Sequence, residues 1–136
     1  MTPDEIDGFI AENIECLLGR QPLIMPSTVI YCIDGRYEVQ DETAARAHFA
    51  LISSGFASLG VTELRGELKS ARIKADRECQ LEIMYHHRGG KSAPSYSHAS
   101  YFLRRKDGAW QLELVEIHSC PVLTLVRAQV AAETLH

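Results

Sequence analysis

The chain predicts an α+β fold in which a cone-shaped, curved, mostly antiparallel sheet packs on N-terminal helices. Three observations predict it. Ahead of Val61, apolar residues follow helical spacing over 3–18 and 42–59. From Val61 onward apolar and polar residues alternate, the period of strands. Two runs rich in aromatic and branched residues flank Asp107-Gly108, a dipeptide that tolerates positive φ at both centres of a type I′ hairpin turn.

Thr2-Pro3-Asp4-Glu5 opens the first helix: Thr2 can cap it, Pro3 suits the first helical position, and Glu5 completes a capping box. Ile6, Phe9, Ile10, Ile14, Leu17 and Leu18 follow helical spacing, and Gly19 stops the helix. Pro22 and Pro26 make 21–27 an irregular connection. Residues 28–33 and 36–40 read as short strands about an Asp34-Gly35 turn. Asp41 can cap the second helix, whose inner face is Ala45, His48, Phe49, Ile52 and Phe56, and Gly60 ends it. Residues 61–75 form a long charged strand in which Gly66 marks a bulge or bend. Residues 79–87 are the next strand, with Leu81, Ile83, Tyr85 and His87 on one face. Residues 88–94 are a loop. Gly89-Gly90-Lys91-Ser92 within it is not a phosphate loop, because the first glycine of such a motif falls on Tyr85. After Pro121, the spacing of Val122, Leu125, Val126, Gln129 and Val130 is that of a short terminal helix.

The 136 residues make one domain, 1–136, long enough to bury a core without staples. Hydrophobic residues are 46% and charged residues 24%, ordinary for a soluble globular protein. The formal charge is −4 with the basic residues scattered, which argues against nucleic acid or an anionic membrane as partner. No apolar run approaches the roughly 20 residues of a membrane helix, and the N-terminus is acidic and polar, unlike a secretory signal. Cys16, Cys32, Cys79 and Cys120 contain no Cys-x-x-Cys pair. They read as reduced, mostly buried thiols, and the expected location is cytoplasmic.

A regular hairpin about Asp107-Gly108 pairs Leu103 with Leu112, Tyr101 with Leu114, Ala99 with Glu116 and Ser97 with His118. Trp110, Leu112, Leu114, Glu116 and His118 then share the inner face with those partners, an apolar floor with a polar end. Glu116 beside His118 is a carboxylate that can orient an imidazole for general acid–base work. The competing reading is that both are solvated at a strand end. Tyr101 and Tyr85, on the same face, can steady developing negative charge on a substrate oxygen, or can be core tyrosines with a satisfied hydroxyl. His87, His48, Tyr31 and Trp110 complete the candidate ligand-binding residues. A two-His, one-carboxylate set of His87, His118 and Glu116 requires three coincidences, so neither metal nor cofactor is expected. Met84, Phe102, Val115 and Ile117 fall on the outer face with Tyr96 and His98, an apolar strip suited to a homodimer.

The helix, hairpin, helix, meander order resembles the nuclear transport factor 2-like (cystatin-like) superfamily over nearly the whole chain. The run Tyr101-Phe102-Leu103-Arg104-Arg105-Lys106-Asp107-Gly108-Ala109-Trp110-Gln111-Leu112 is similar to the end of its SnoaL-like polyketide cyclase branch. The resemblance implies a cone with an internal pocket, and dimers. It also implies cyclase, dehydratase, isomerase or purely binding roles. The expected function is therefore a small-molecule pocket protein for a hydrophobic carbonyl compound. As an enzyme it would be a cofactor-free lyase or isomerase, with His118 as acid or base, Glu116 orienting it, and Tyr101 or Tyr85 holding the oxyanion. The alternative is a non-catalytic ligand-binding or dimeric assembly domain of the same fold.

Overall fold

A computed structural model of the chain describes residues 1–20, 29–32, 35–38, 42–89 and 95–119. Helix α1 spans Pro3–Leu17, strands β1 and β2 span Val29–Cys32 and Gly35–Glu38, and helix α2 spans Glu42–Ser58. Strands β3 to β6 span Glu63–Lys74, Glu78–Arg88, Tyr96–Lys106 and Ala109–Ser119. The sheet order is β2-β1-β6-β5-β4-β3. All neighbours are antiparallel except β1 and β6, which run parallel. The expected terminal helix after Pro121 lies outside the described residues.

Local chemistry explains these boundaries. The Thr2 hydroxyl accepts from the Glu5 N–H at 3.1 Å, and the Glu5 carboxylate accepts from the Thr2 N–H at 3.0 Å. Two donors that α1 would leave unpaired are satisfied in this way. Asp107 and Gly108 have φ of 51° and 78°, the two positive values of a type I′ turn, and Lys106 pairs with Ala109 across it.

Ile6 of α1, and Ile52 and Phe56 of α2, pack on a sheet face built by Leu81, Ile83, Tyr85, Ala99, Tyr101, Leu103 and Val115. The four β4 residues expected on one face are all buried there: Leu81, Ile83, Tyr85 and His87. Gly66 faces α1 so closely that an added Cβ would collide with Ile10 Cγ2. The glycine therefore sets the helix-to-sheet distance; the irregularity of β3 falls further on, between Leu68 and Ser70.

The register of β5 with β6 departs from the regular hairpin. Leu103 pairs with Leu112 as expected, but Phe102 then pairs with Leu114, so Glu113 is a surplus residue on β6. Beyond it Tyr101 pairs with Val115, Ser100 with Glu116 and Ala99 with Ile117. A second shift between His98 and Ala99 brings His98 opposite Ser119. One surplus residue exchanges the two faces of everything beyond it. Val115 and Ile117 therefore turn inward, against expectation, and Leu114 and Glu116 turn outward. Met84 and Phe102 keep the outer positions expected of them, alternating with buried neighbours.

Candidate functional site

The helices and the inner sheet face line a partly open cavity of about 40 Å³, room for a few waters or the tip of a small molecule. Its walls are apolar, with Leu17, Phe49, Ile52, Phe56, Ala99 and Val115 among them. Its polar lining includes Asn13, Tyr85, Tyr101 and Ser97.

Asn13, Tyr85 and Tyr101 form a closed triangle. The Asn13 amide nitrogen donates to the Tyr85 hydroxyl and, at 2.8 Å, to the Tyr101 hydroxyl, and the two phenol oxygens are 2.9 Å apart. All three residues are buried. The Tyr85 and Tyr101 rings meet edge to face at 6.5 Å, and Phe9 of α1 packs edge-on against Tyr101 at 5.3 Å. Burial pushes the Tyr85 phenol well above its ordinary range, so it stays a neutral donor. The three edges of the triangle use both amide protons of Asn13 and the hydroxyl proton of Tyr85.

A second polar group adjoins it. Ser97 stands opposite Tyr85 in the β4–β5 ladder. His87, two residues beyond Tyr85 on the same face, places Nε2 2.7 Å from Ser97 Oγ and Nδ1 2.8 Å from Ser95 Oγ. The His87 N–H donates to the Ser95 carbonyl at 2.9 Å, fixing Ser95 beside the ring, and Phe56 packs edge-on against the imidazole at 5.1 Å. Burial lowers the His87 pKa, which keeps the ring neutral.

The remaining expected site residues lie elsewhere. Glu116 and His118 are on the outer face, because the surplus Glu113 reverses the facing of β6. There His118 Nε2 is 2.8 Å from Ser100 Oγ and its ring lies 4.8 Å from that of His98, whose Nε2 is 2.8 Å from Glu82. His118 and Glu116 are thus separated from Tyr101 by the thickness of the sheet, and the imagined grouping of His87, His118 and Glu116 is divided between two faces. Among the described residues no set of three or more His, Cys, Asp or Glu is placed to hold a metal ion. Trp110 packs on the core near the hairpin turn, opposite Arg105, away from the cavity. The side chains of His48 and Tyr31 lie outside those described.

The residues missed are Asn13 and the serine pair. Asn13 falls on the apolar stripe of α1, three residues after Ile10 and four before Leu17, and a polar residue on such a stripe is the signal that could have found it. Ser97 was expected inward but given no role.

Comparison with solved structures agrees with this architecture. A domain of unknown function with a cystatin-like fold from Nostoc punctiforme superimposes with a TM-score of 0.64 at 14% identity, covering 100% of both chains. A nuclear transport factor 2-like protein of unknown function from Shewanella oneidensis gives 0.63 at 10% identity, covering 88% of this chain and 100% of its own. The fold is nuclear transport factor 2-like. A de novo designed protein with a curved β-sheet also matches, at 0.52 and 12% identity over 82% of this chain and 99% of its own; a fold does not by itself fix a function. No family model matches the chain, and no curated protein matches it in sequence. Among the described residues no helix is long and apolar enough to cross a membrane, which leaves β-barrels aside.

Proposed function

We propose that the protein binds a small, uncharged, mostly apolar molecule and holds its oxygen against the Asn13–Tyr85–Tyr101 triangle. The observation that carries this reading is a buried, hydrogen-bonded polar triad on the lining of an otherwise apolar cavity. A carbonyl or hydroxyl oxygen suits polar lining groups that are a neutral amide and neutral phenols. Among the described lining residues there is no Lys, Arg, Asp or Glu, and the imidazole of His98, which also borders the cavity, is engaged by Glu82, so an ionised ligand would be desolvated without a counter-charge of its own. Likeness to the SnoaL-like branch supports carbonyl compounds as the ligand class. With Glu116 and His118 on the other face, the binding reading takes precedence over a lyase or isomerase driven by that dyad. The buried free thiols Cys16 and Cys79 support a reducing, cytoplasmic setting.

The test is ligand-observed NMR with small neutral ketones and with carboxylates of matched size. Ketones should bind, carboxylates should not, and Tyr101→Phe should weaken ketone binding by about 3- to 10-fold, the worth of one hydrogen bond. Unchanged affinity in the variant, or preference for carboxylates, refutes the reading.

A second reading concerns the outer face, which we propose joins a second copy of the chain. Its polar groups are already paired among themselves: Glu67 with His86 and Lys69, Glu82 with His98, and Ser100 with His118. Such a face leaves few polar groups stranded when water is expelled. Met84, Phe102 and the half-exposed Tyr96 supply apolar contact. Light scattering should give a dimer that Met84→Glu with Phe102→Glu dissociates. A wild-type monomer at micromolar concentration overturns this reading.

A further inference from the structure

We infer that the outer face of the sheet binds an amphipathic anion, a medium-chain aliphatic carboxylate, with Arg72 and Lys74 at its head and Phe102 and Leu114 under its chain. This site lies across the sheet from the cavity and stands independently of the pocket reading above.

Three observations carry it. The first is shape. An open groove of about 250 Å³ runs over the turn end of the outer face, beyond the paired histidines, and is lined in part by Arg72, Lys74, Gln80, Phe102, Arg104 and Leu114. The ladders set Arg72, Gln80, Phe102 and Leu114 in one row across β3, β4, β5 and β6. Neighbouring strands are about 4.8 Å apart, so the row leads from a cation on the edge strand to apolar side chains roughly 10 and 14 Å away.

The second is charge. Arg104 lies 3.2 Å from Glu78 and 3.5 Å from Glu113, and Lys106 lies 3.5 Å from Glu113. The two carboxylates of the groove are thus matched by two cations. Among the described residues nothing pairs with Arg72 or Lys74, which stand exposed, two apart, on one face of β3. The third is the floor. Phe102 and Leu114 face outward yet are half-buried, side by side in the β5–β6 ladder.

A carboxylate matches the planar fork of Arg72, with Lys74 as a second positive charge. The Gln80 amide, opposite Arg72, can add a donor. An uncharged chain would leave both cations unused, and a small inorganic anion would leave the apolar floor bare. A ligand with a carboxylate at one end and an aliphatic chain at the other uses both ends of the row.

The experiment titrates the full nitrogen-labelled chain with decanoate and with decanol, read by amide NMR shifts. Decanoate should move the amides of Arg72, Gln80, Phe102 and Leu114, and decanol should bind about 10-fold more weakly. Added salt should weaken decanoate and leave decanol unchanged, since the cations are exposed. Arg72→Gln with Lys74→Gln should bring decanoate to the affinity of decanol, and Leu114→Ser should weaken both. Tyr101→Phe, in the cavity, should change neither. Decanoate binding no tighter than decanol, wild-type affinity in the double variant, or shifts confined to the cavity lining overturn the inference. Phe102 also belongs to the contact proposed above between two copies, so the titrations are repeated in Met84→Glu, which disfavours that contact and leaves the groove intact. Binding at the groove in either protein supports the inference, and binding in neither overturns it.

Discussion

The hydroxyl oxygens of Tyr85 and Tyr101 lie 2.9 Å apart, and both accept from the single amide nitrogen of Asn13. Each group thus depends on the other two for burial. Tyr85→Phe leaves one Asn13 N–H without its acceptor in the core, an expected loss of about 1–3 kcal/mol in urea unfolding. Replacing all three, with Asn13→Leu, Tyr85→Phe and Tyr101→Phe, should cost less than the sum of the single changes, since no stranded polar group remains. Strict additivity would show that the triangle is not a unit.

Gly66→Ala should destabilise by about 1–3 kcal/mol, the usual penalty of overpacking. The obstructing atom is Ile10 Cγ2. Ile10→Ala should therefore soften the effect of Gly66→Ala, and a double-mutant cycle measures the coupling. Equal costs of Gly66→Ala in both backgrounds would place the strain elsewhere.

Stability should fall on mild acidification because of His87. Burial lowers its pKa below the ordinary 6.5. Between the folded and unfolded values, the unfolded chain binds a proton that the folded chain does not. Stability therefore drops as pH falls below about 6.5 and levels off beneath the folded value. Urea midpoints measured from pH 8 to pH 5 should show this, and His87→Gln should flatten the slope. Glu67 and Glu82 have lowered pKa values, chiefly through bonds from His86 and His98. Their contribution is present above the ordinary carboxylate range and fades as pH falls through their lowered values.

Cys16 and Cys79 should resist alkylation in the native protein. Burial raises both thiol pKa values, leaving little thiolate. Peptide mapping after brief iodoacetamide treatment should find both unmodified, and both labelled once the chain is unfolded in urea. Native labelling at the rate of a free thiol would contradict their packing.

Features set by short-range chemistry were legible in the sequence. The Thr2–Glu5 capping box, the Asp107-Gly108 turn and the inward set of β4 depend on a few adjacent residues, and the structure has each of them. The pairing beyond Leu103 was not legible. Nothing in Glu113 distinguishes a residue that occupies a ladder position from one that is skipped, because the choice is made by Val115 and Ile117 entering the core. Val115 and Ile117 have the stronger claim to burial than Glu116 and His118, and counting that preference against regular pairing would have located the shift. Asn13 was hidden differently: an asparagine in a helix reads as solvent-facing until the two tyrosines that accept its protons are placed across from it.

Because β6 carries a surplus residue at Glu113, its letters are read in two frames. Deleting Glu113 would make the pairing regular and keep Leu114 opposite Phe102 and Val115 opposite Tyr101, so the cavity lining would stay as it is. The frame that brings Glu116 and His118 into the cavity and turns Val115 and Ile117 to water is the one in which Glu113 takes a ladder position of its own. Two chains of this architecture with nearly the same final strand can therefore present opposite sets of residues to a ligand, according to whether one residue is skipped.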